Sequence, residues 1–313
     1  MYSINEPRTE SLRRCAIAVV AALLMSSLPA VGRAGETSSA ACEDTSTRQI
    51  PARPAGAAGG RQFAATIARL DGDAREAMIS HELLAANIPQ SLRHFVPVSL
   101  AARQPDGHTA NIVLCAAPDY LAIGSDQDHV LMPMRLQTAL QVADRFGLSL
   151  PTPKVVDAIY EQATVHLTPQ PLPAGDEMRS TFYLVHHNDL VATQREALGA
   201  PVGALSAGHK KDLVLTSLLW QKLDRVAIYG WHKALSAPIQ PLSTVHGWRY
   251  ADYSHGARLI ATRVWVDGVQ RSLFDLLQDP ILAPAFSKEG GIPHVVRLIE
   301  ELSGRTHGAL AAF

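Results

Sequence analysis

Short runs of strand-forming residues, each closed by turn residues, most limit how this chain can fold. "HFVPVSL", "ANIVLC", "YLAIGS" and "HVLMPM" follow one another between residues 94 and 134, parted by "QPDG" and "APD". "STFYLVHH", "DLVLTS", "RVAIYG" and "ARLIATRVWVDG" continue the series. Helical spacing surrounds these runs. Phe63, Ile67 and Leu70, then Ala77, Met78, Leu83 and Leu84, predict helices broken near "DGD". Leu136 to Phe146 predicts another, stopped by Gly147, and Thr152 with Pro153 marks the start of the next. "NDLVATQREALG" reads as a helix capped by Asn188 and stopped at Gly199, and further helices are expected around Leu273 to Leu277 and His294 to Leu302. The interleaving lacks a regular strand-helix alternation, and neither G-x-G-x-x-G nor a P-loop occurs. The expected class is therefore α+β, one domain over 61–313 with a mixed or antiparallel sheet and flanking helices.

The N-terminus reads as an export signal. Arg13 and Arg14 precede an apolar run from Cys15 to Leu28, and small residues before Ala34 offer a cleavage point. That run is too short to cross a bilayer, so no membrane span is expected in the processed chain. Residues 35–60, rich in Ser, Thr, Ala, Gly and Pro, read as a flexible leader. Cys42 and Cys115 then remain as an even pair in an oxidising compartment, either bonded to each other or with Cys115 as a buried thiol. A net charge of −1 and no basic run of five or more residues argue against nucleic acid as a partner.

Polar and aromatic chemistry gathers between residues 209 and 265, which hold all four tryptophans and four of the thirteen histidines. Three clusters, "GHKKD", "YGWH" and "HGWRYADYSHGARLI", each flank a strand run, and adjacent strands would bring them together. His209, Asp212, His232, Asp252 and His255 are the candidate catalytic residues. Of these, His255 or His232 would be the acid/base and Asp252 its orienting carboxylate. Arg258 would anchor substrate charge, and Lys211, Tyr229, Trp231, Trp248, Tyr250 and Ser254 are candidate substrate contacts. Extended backbone over 246–255 would place Asp252 and Ser254 on one face and His255 on the other. The tryptophans could line a ligand groove or simply build core. A cofactor is not specified by any motif. Zinc would accept these His and Asp types, together with His246, but the spacing matches no metal motif and no residue is assigned as a ligand. Asp126 and Asp128 in "GSDQDH" could join a site or only form a turn.

"SHGAR" resembles the S-H-G-C-x-R signature of L,D-transpeptidases, and "IYGWH" is similar to their I-H-G strand. Ala257 stands where that family has its nucleophilic cysteine and Tyr229 where it has a histidine, so its reaction is not implied. Over nearly the whole length, "PDYLAIGSD", "LPTPKVVDAIY", "GHKKD", "IYGWH" and "DYSHGARL" resemble a family of secreted bacterial proteins of uncharacterised function. That likeness implies export and a shared fold without a reaction. The expected function is a secreted or periplasmic hydrolase of an envelope or extracellular polymer. The alternative is a non-catalytic glycan- or peptide-binding protein with an aromatic groove.

Overall fold

The computed structural model describes Cys42 and residues 49–304, which lie in one compact unit. The export signal and residues 35–48 other than Cys42 lie outside the described residues. The fold is α+β. Its larger sheet is antiparallel, in the order β1 (Val96–Arg103), β2 (Thr109–Ala116), β12 (Ile260–Val266), β13 (Val269–Ser272), with the short β5 (Leu148–Ser149) also paired to β12. The β1–β2 turn uses "QPDG" as its composition demands. Gly107 takes a positive φ of 87°, and the Asp106 carboxylate accepts the His108 N–H. Pro97, which lacks a donor, sits in β1 at the sheet edge, where no ladder bond is lost.

The second sheet is mixed: β10 (Ala237–Ser243), β9 (Ile228–Ala234) and β8 (Lys211–Leu213) run antiparallel, and β11 (His255–Gly256) joins β8 in parallel. A hairpin, β3 (Ala122–Gly124) with β4 (His129–Leu131), and a parallel pair, β6 (Val165–His166) with β7 (Ser206–Ala207), complete the strands.

Helices α1 (Gly60–Thr66), α2 (Gly72–Leu84), α3 (Leu136–Arg145) and α4 (Pro153–Gln162) fall where the apolar spacing predicts. Thr152 caps α4 by accepting the Val155 N–H at 3.3 Å, with Pro153 at the first position. After α5 (Thr181–Ala197), two single turns, α6 (Leu273–Leu276) and α7 (Ala283–Phe286), lead to α8 (Val295–Ser303).

The α5 segment corrects two sequence readings. "STFYLVHH" is not a strand, and Asn188 is not a cap. One helix runs through both segments, capped by Ser180, whose Oγ accepts the Tyr183 N–H at 3.1 Å. Thr, Phe, Tyr and Val suggest a strand by type, but the buried positions are Thr181, Leu184, His187 and Val191, at helical spacing. His187 is polar by name and completes the buried stripe, so an apolar count misses it. Asn188 instead accepts the Leu131 N–H at 3.0 Å, satisfying the edge of the β3–β4 hairpin.

The described part of the leader, 49–60, is packed rather than flexible. Ile50 is buried, Arg53 donates to the Asn87 amide and to Ala57 and Ala58 carbonyls, and the Arg93 guanidinium takes the Pro51 carbonyl. Guanidinium donors thus satisfy backbone that no strand or helix pairs. A disulfide links Cys42 to Cys115 in β2, across 73 residues. Among the described residues no helix is long and apolar enough to cross a membrane.

Candidate functional site

The small mixed sheet brings the three polar clusters together. In register, Lys211 faces Gly230 and His255, while Asp212 faces Tyr229 and Gly256. His209, Asp212, His232, Asp252, His255 and Arg258 are all buried, at 0–2% exposure, so they form an enclosed cluster rather than an open pocket wall.

Three imidazole–carboxylate pairs organise it. His209 Nε2–H donates to Asp119 at 3.1 Å, and Asp119 also receives Arg195. Burial opposes the charge on Asp119, yet Arg195 and His209 hold the carboxyl far below the usual range. Burial pushes His209 down to about 4, so it is neutral at pH 7. His232, stacked on Tyr160 at 4.6 Å, donates Nε2–H to Asp157 at 3.0 Å. Asp157 also accepts from the Tyr229 hydroxyl and from Lys288. Despite burial, these hydrogen bonds bring its carboxyl down to about 2.

The third pair differs. His255 Nε2 lies 3.9 Å from Asp252 Oδ2, too far for a hydrogen bond, and both ring nitrogens are buried without a partner. Burial pushes His255 down to about 4. Asp252 already accepts the Ser254 hydroxyl at 2.5 Å and the Tyr250 hydroxyl at 2.9 Å. Burial alone would raise its carboxyl, but His255, Ser254 and Lys211 hold it below the usual range. The alternating faces expected over 246–255 are therefore corrected. Before β11 the chain turns rather than extends, so Asp252 lies between Ser254 and His255. Tyr250 stacks on His246 at 4.0 Å and meets His255 edge-on at 5.6 Å.

Asp212 and Arg258 are committed elsewhere. Asp212 accepts the Tyr120 hydroxyl at 2.8 Å, and burial pushes its carboxyl up to about 6. Arg258 lies over the Tyr120 ring at 4.3 Å and donates to the Ala117 and Ser206 carbonyls. The expected anchor for substrate charge is thus a buried clamp between a loop carbonyl and one in β7. Beneath the sheet Lys210 donates to the Tyr253 carbonyl at 2.5 Å, and burial pushes it down to about 7. His187 of α5 lies 3.3 Å from it, within the helix that replaces the expected strand.

Backbone strain marks the same place. Gly230 and Trp231 have φ of 108° and 57°, the second a left-handed conformation that a bulky side chain rarely adopts. Trp231 Nε1 is buried without a partner, and the Lys211 ammonium lies 4.9 Å from its ring centre. The other tryptophans disperse, which corrects the aromatic groove. Trp220 donates to the Pro293 carbonyl, Trp248 packs under Arg249, and Trp265 lies in β12 of the other sheet. Their closeness in sequence does not survive because Trp220 and Trp248 sit in turns between strands, while Trp231 and Trp265 belong to strands of different sheets.

A cleft of about 520 Å³, lined by four arginines (Arg75, Arg135, Arg179, Arg249) and five carboxylates (Asp71, Asp73, Glu76, Asp176, Glu177), also takes in Ala251, the chain neighbour of Asp252. Asp126 accepts the N–H and hydroxyl of Ser91 in a 3-10 turn, and Asp128 accepts the Arg61 N–H at the start of α1, so both satisfy helix N-termini. Among the described residues no three His, Cys, Asp or Glu side chains converge to hold a metal ion. Sequence reasoning missed Asp119, Asp157, Arg195 and Tyr120, the partners that fix the imidazoles. Asp119 and Tyr120 stand within "PDYLAIGSD", but nothing in their spacing marks a pairing some 90 residues away. No family model, curated protein or solved structure matches the chain.

Proposed function

We propose that the protein is a hydrolase acting on an envelope or extracellular polymer, with His255 as its acid/base. One observation carries the reading: a neutral imidazole has both nitrogens unbonded beside an ionised carboxylate that is itself held in place. His255 would take a proton from water as the oxygen attacks the substrate. Asp252 would stabilise the imidazolium, which then returns that proton to the leaving group. Lys211, paired with His255 in the sheet, borders the reacting position, and the cleft of mixed charge beside Ala251 gives a polymer its approach. His232, already spent on Asp157, is a positioning residue. Export to an oxidising compartment fits the Cys42–Cys115 disulfide.

The test is incubation of the purified chain with isolated peptidoglycan and common polysaccharides, following released amino groups and reducing ends. Wild type should release product, and His255→Ala should lose at least about a hundredfold in rate while keeping its circular dichroism. Unchanged turnover in His255→Ala, or none by wild type across the panel, would sink the proposal. The near-complete burial of the imidazoles favours a second reading, a non-catalytic glycan- or peptide-binding protein. Quenching of tryptophan fluorescence by a panel member without product would support it.

A further inference from the structure

A separate cleft of about 410 Å³ opens on the far side of Asp119 and Tyr120. Its walls are Leu92, Pro118, Leu131, Pro201 and Val202, and Arg195 closes its floor beside Asp119. Apolar walls with a few convergent polar groups are the usual form of a small-ligand site.

The floor decides what ligand fits. Asp119 Oδ1 accepts the Tyr120 N–H and His209, and Oδ2 accepts Arg195, so its acceptor capacity is largely filled. Arg195 has five N–H groups, of which Ser206 Oγ and Asp119 take two. His209 Nε2, 3.4 Å away, is itself a donor to Asp119 and takes none. The remaining capacity is therefore donor capacity, on a guanidinium whose side chain is 22% exposed. Arg258, buried and outside the lining, also draws on the Asp119 charge. At the mouth the signs reverse: Asp126 and the exposed Glu196 line the cleft, and Val202 leaves its rim open at 75% exposure. A polyanion would meet those carboxylates, whereas one negative head passes them and leaves its apolar body on the walls.

We infer that this cleft binds an amphiphilic monocarboxylate, its head on Arg195 and its chain against Leu92, Leu131 and Val202. The inference does not depend on the hydrolase reading, since none of these residues belongs to the His255 pair.

Calorimetric titration of the full chain with octanoate, octanol and octylamine at pH 7.5 tests it. Octanoate should bind about tenfold or more tighter than octanol, with octylamine weakest, as expected for a charge-assisted contact. Ala200→Phe, which fills the cleft, and Val202→Glu, which adds a carboxylate to its mouth, should each weaken octanoate at least about tenfold. The second variant alters an exposed position, so it keeps the test open if the first folds poorly. Octanol binding as tightly as octanoate, octanoate indifferent to both variants, or no heat at millimolar octanoate would each overturn the inference.

Discussion

Replacing Asp212 by asparagine should make the protein more stable at neutral pH, although it removes a buried charged group. The carboxyl is 2% exposed and accepts one hydrogen bond, from Tyr120. Burial raises it from an ordinary 3.8 to about 6, against the pull of Arg258. An acid whose folded pKa is raised holds its proton more firmly in the native state. Its contribution is therefore present in full below pH 4 and is lost as pH rises through about 6. Above that point the gap corresponds to about 3 kcal/mol of destabilisation. Asparagine keeps an acceptor for Tyr120 and carries no charge, while its two unsatisfied amide N–H groups cost about 2 kcal/mol together. The expected net gain at pH 7.5 is about 1 kcal/mol. Urea unfolding at intervals from pH 4 to 7.5 measures it. Wild type should lose stability across that range relative to Asp212→Asn, with a slope difference approaching one proton. Equal slopes, or a variant less stable than wild type at pH 7.5, would refute the argument that burial dominates this carboxyl.

Two further outcomes follow from packing and covalent structure. Opening the Cys42–Cys115 bond, by reduction or by Cys42→Ser with Cys115→Ser, should cost about 4 kcal/mol for a 73-residue separation, read as a fall in the urea midpoint. Gly256→Ala should cost about 2 kcal/mol by the same measurement. A methyl there would lie 2.7 Å from Tyr120 Cδ1 and 3.0 Å from Lys210 Cβ, and an unchanged midpoint would mean that the contact yields freely.

The local chemistry of the chain was open to reading wherever one short segment decides its own conformation. Thr152 before Pro153, Gly107 in its turn and Gly147 after α3 all act through neighbouring backbone. The convergence of "GHKKD", "YGWH" and "DYSHG" was readable for a related reason, because each is attached to a strand and strands must pair. Where the deciding partner lay far off, reading failed. His187 looks like the polar end of a strand run until the groups packed on it, Lys210 and Tyr253, are known. Arg258 looks like a substrate anchor until its two carbonyls are placed.

By itself the sequence determined the longer helices other than α5, the β1–β2 and β3–β4 hairpins and which polar clusters share a sheet, while β5, β6, β7, β10 and α7 carry no clear local pattern. Only the tertiary structure decided which carboxylate each imidazole meets: Asp119 from a loop, Asp157 from α4, and Asp252 held at a distance by Ser254 and Tyr250. The reason is that hydrogen bonds and burial act through space. The free nitrogens of His255 and the raised carboxyl of Asp212 exist only once residues distant in the chain have displaced water around them.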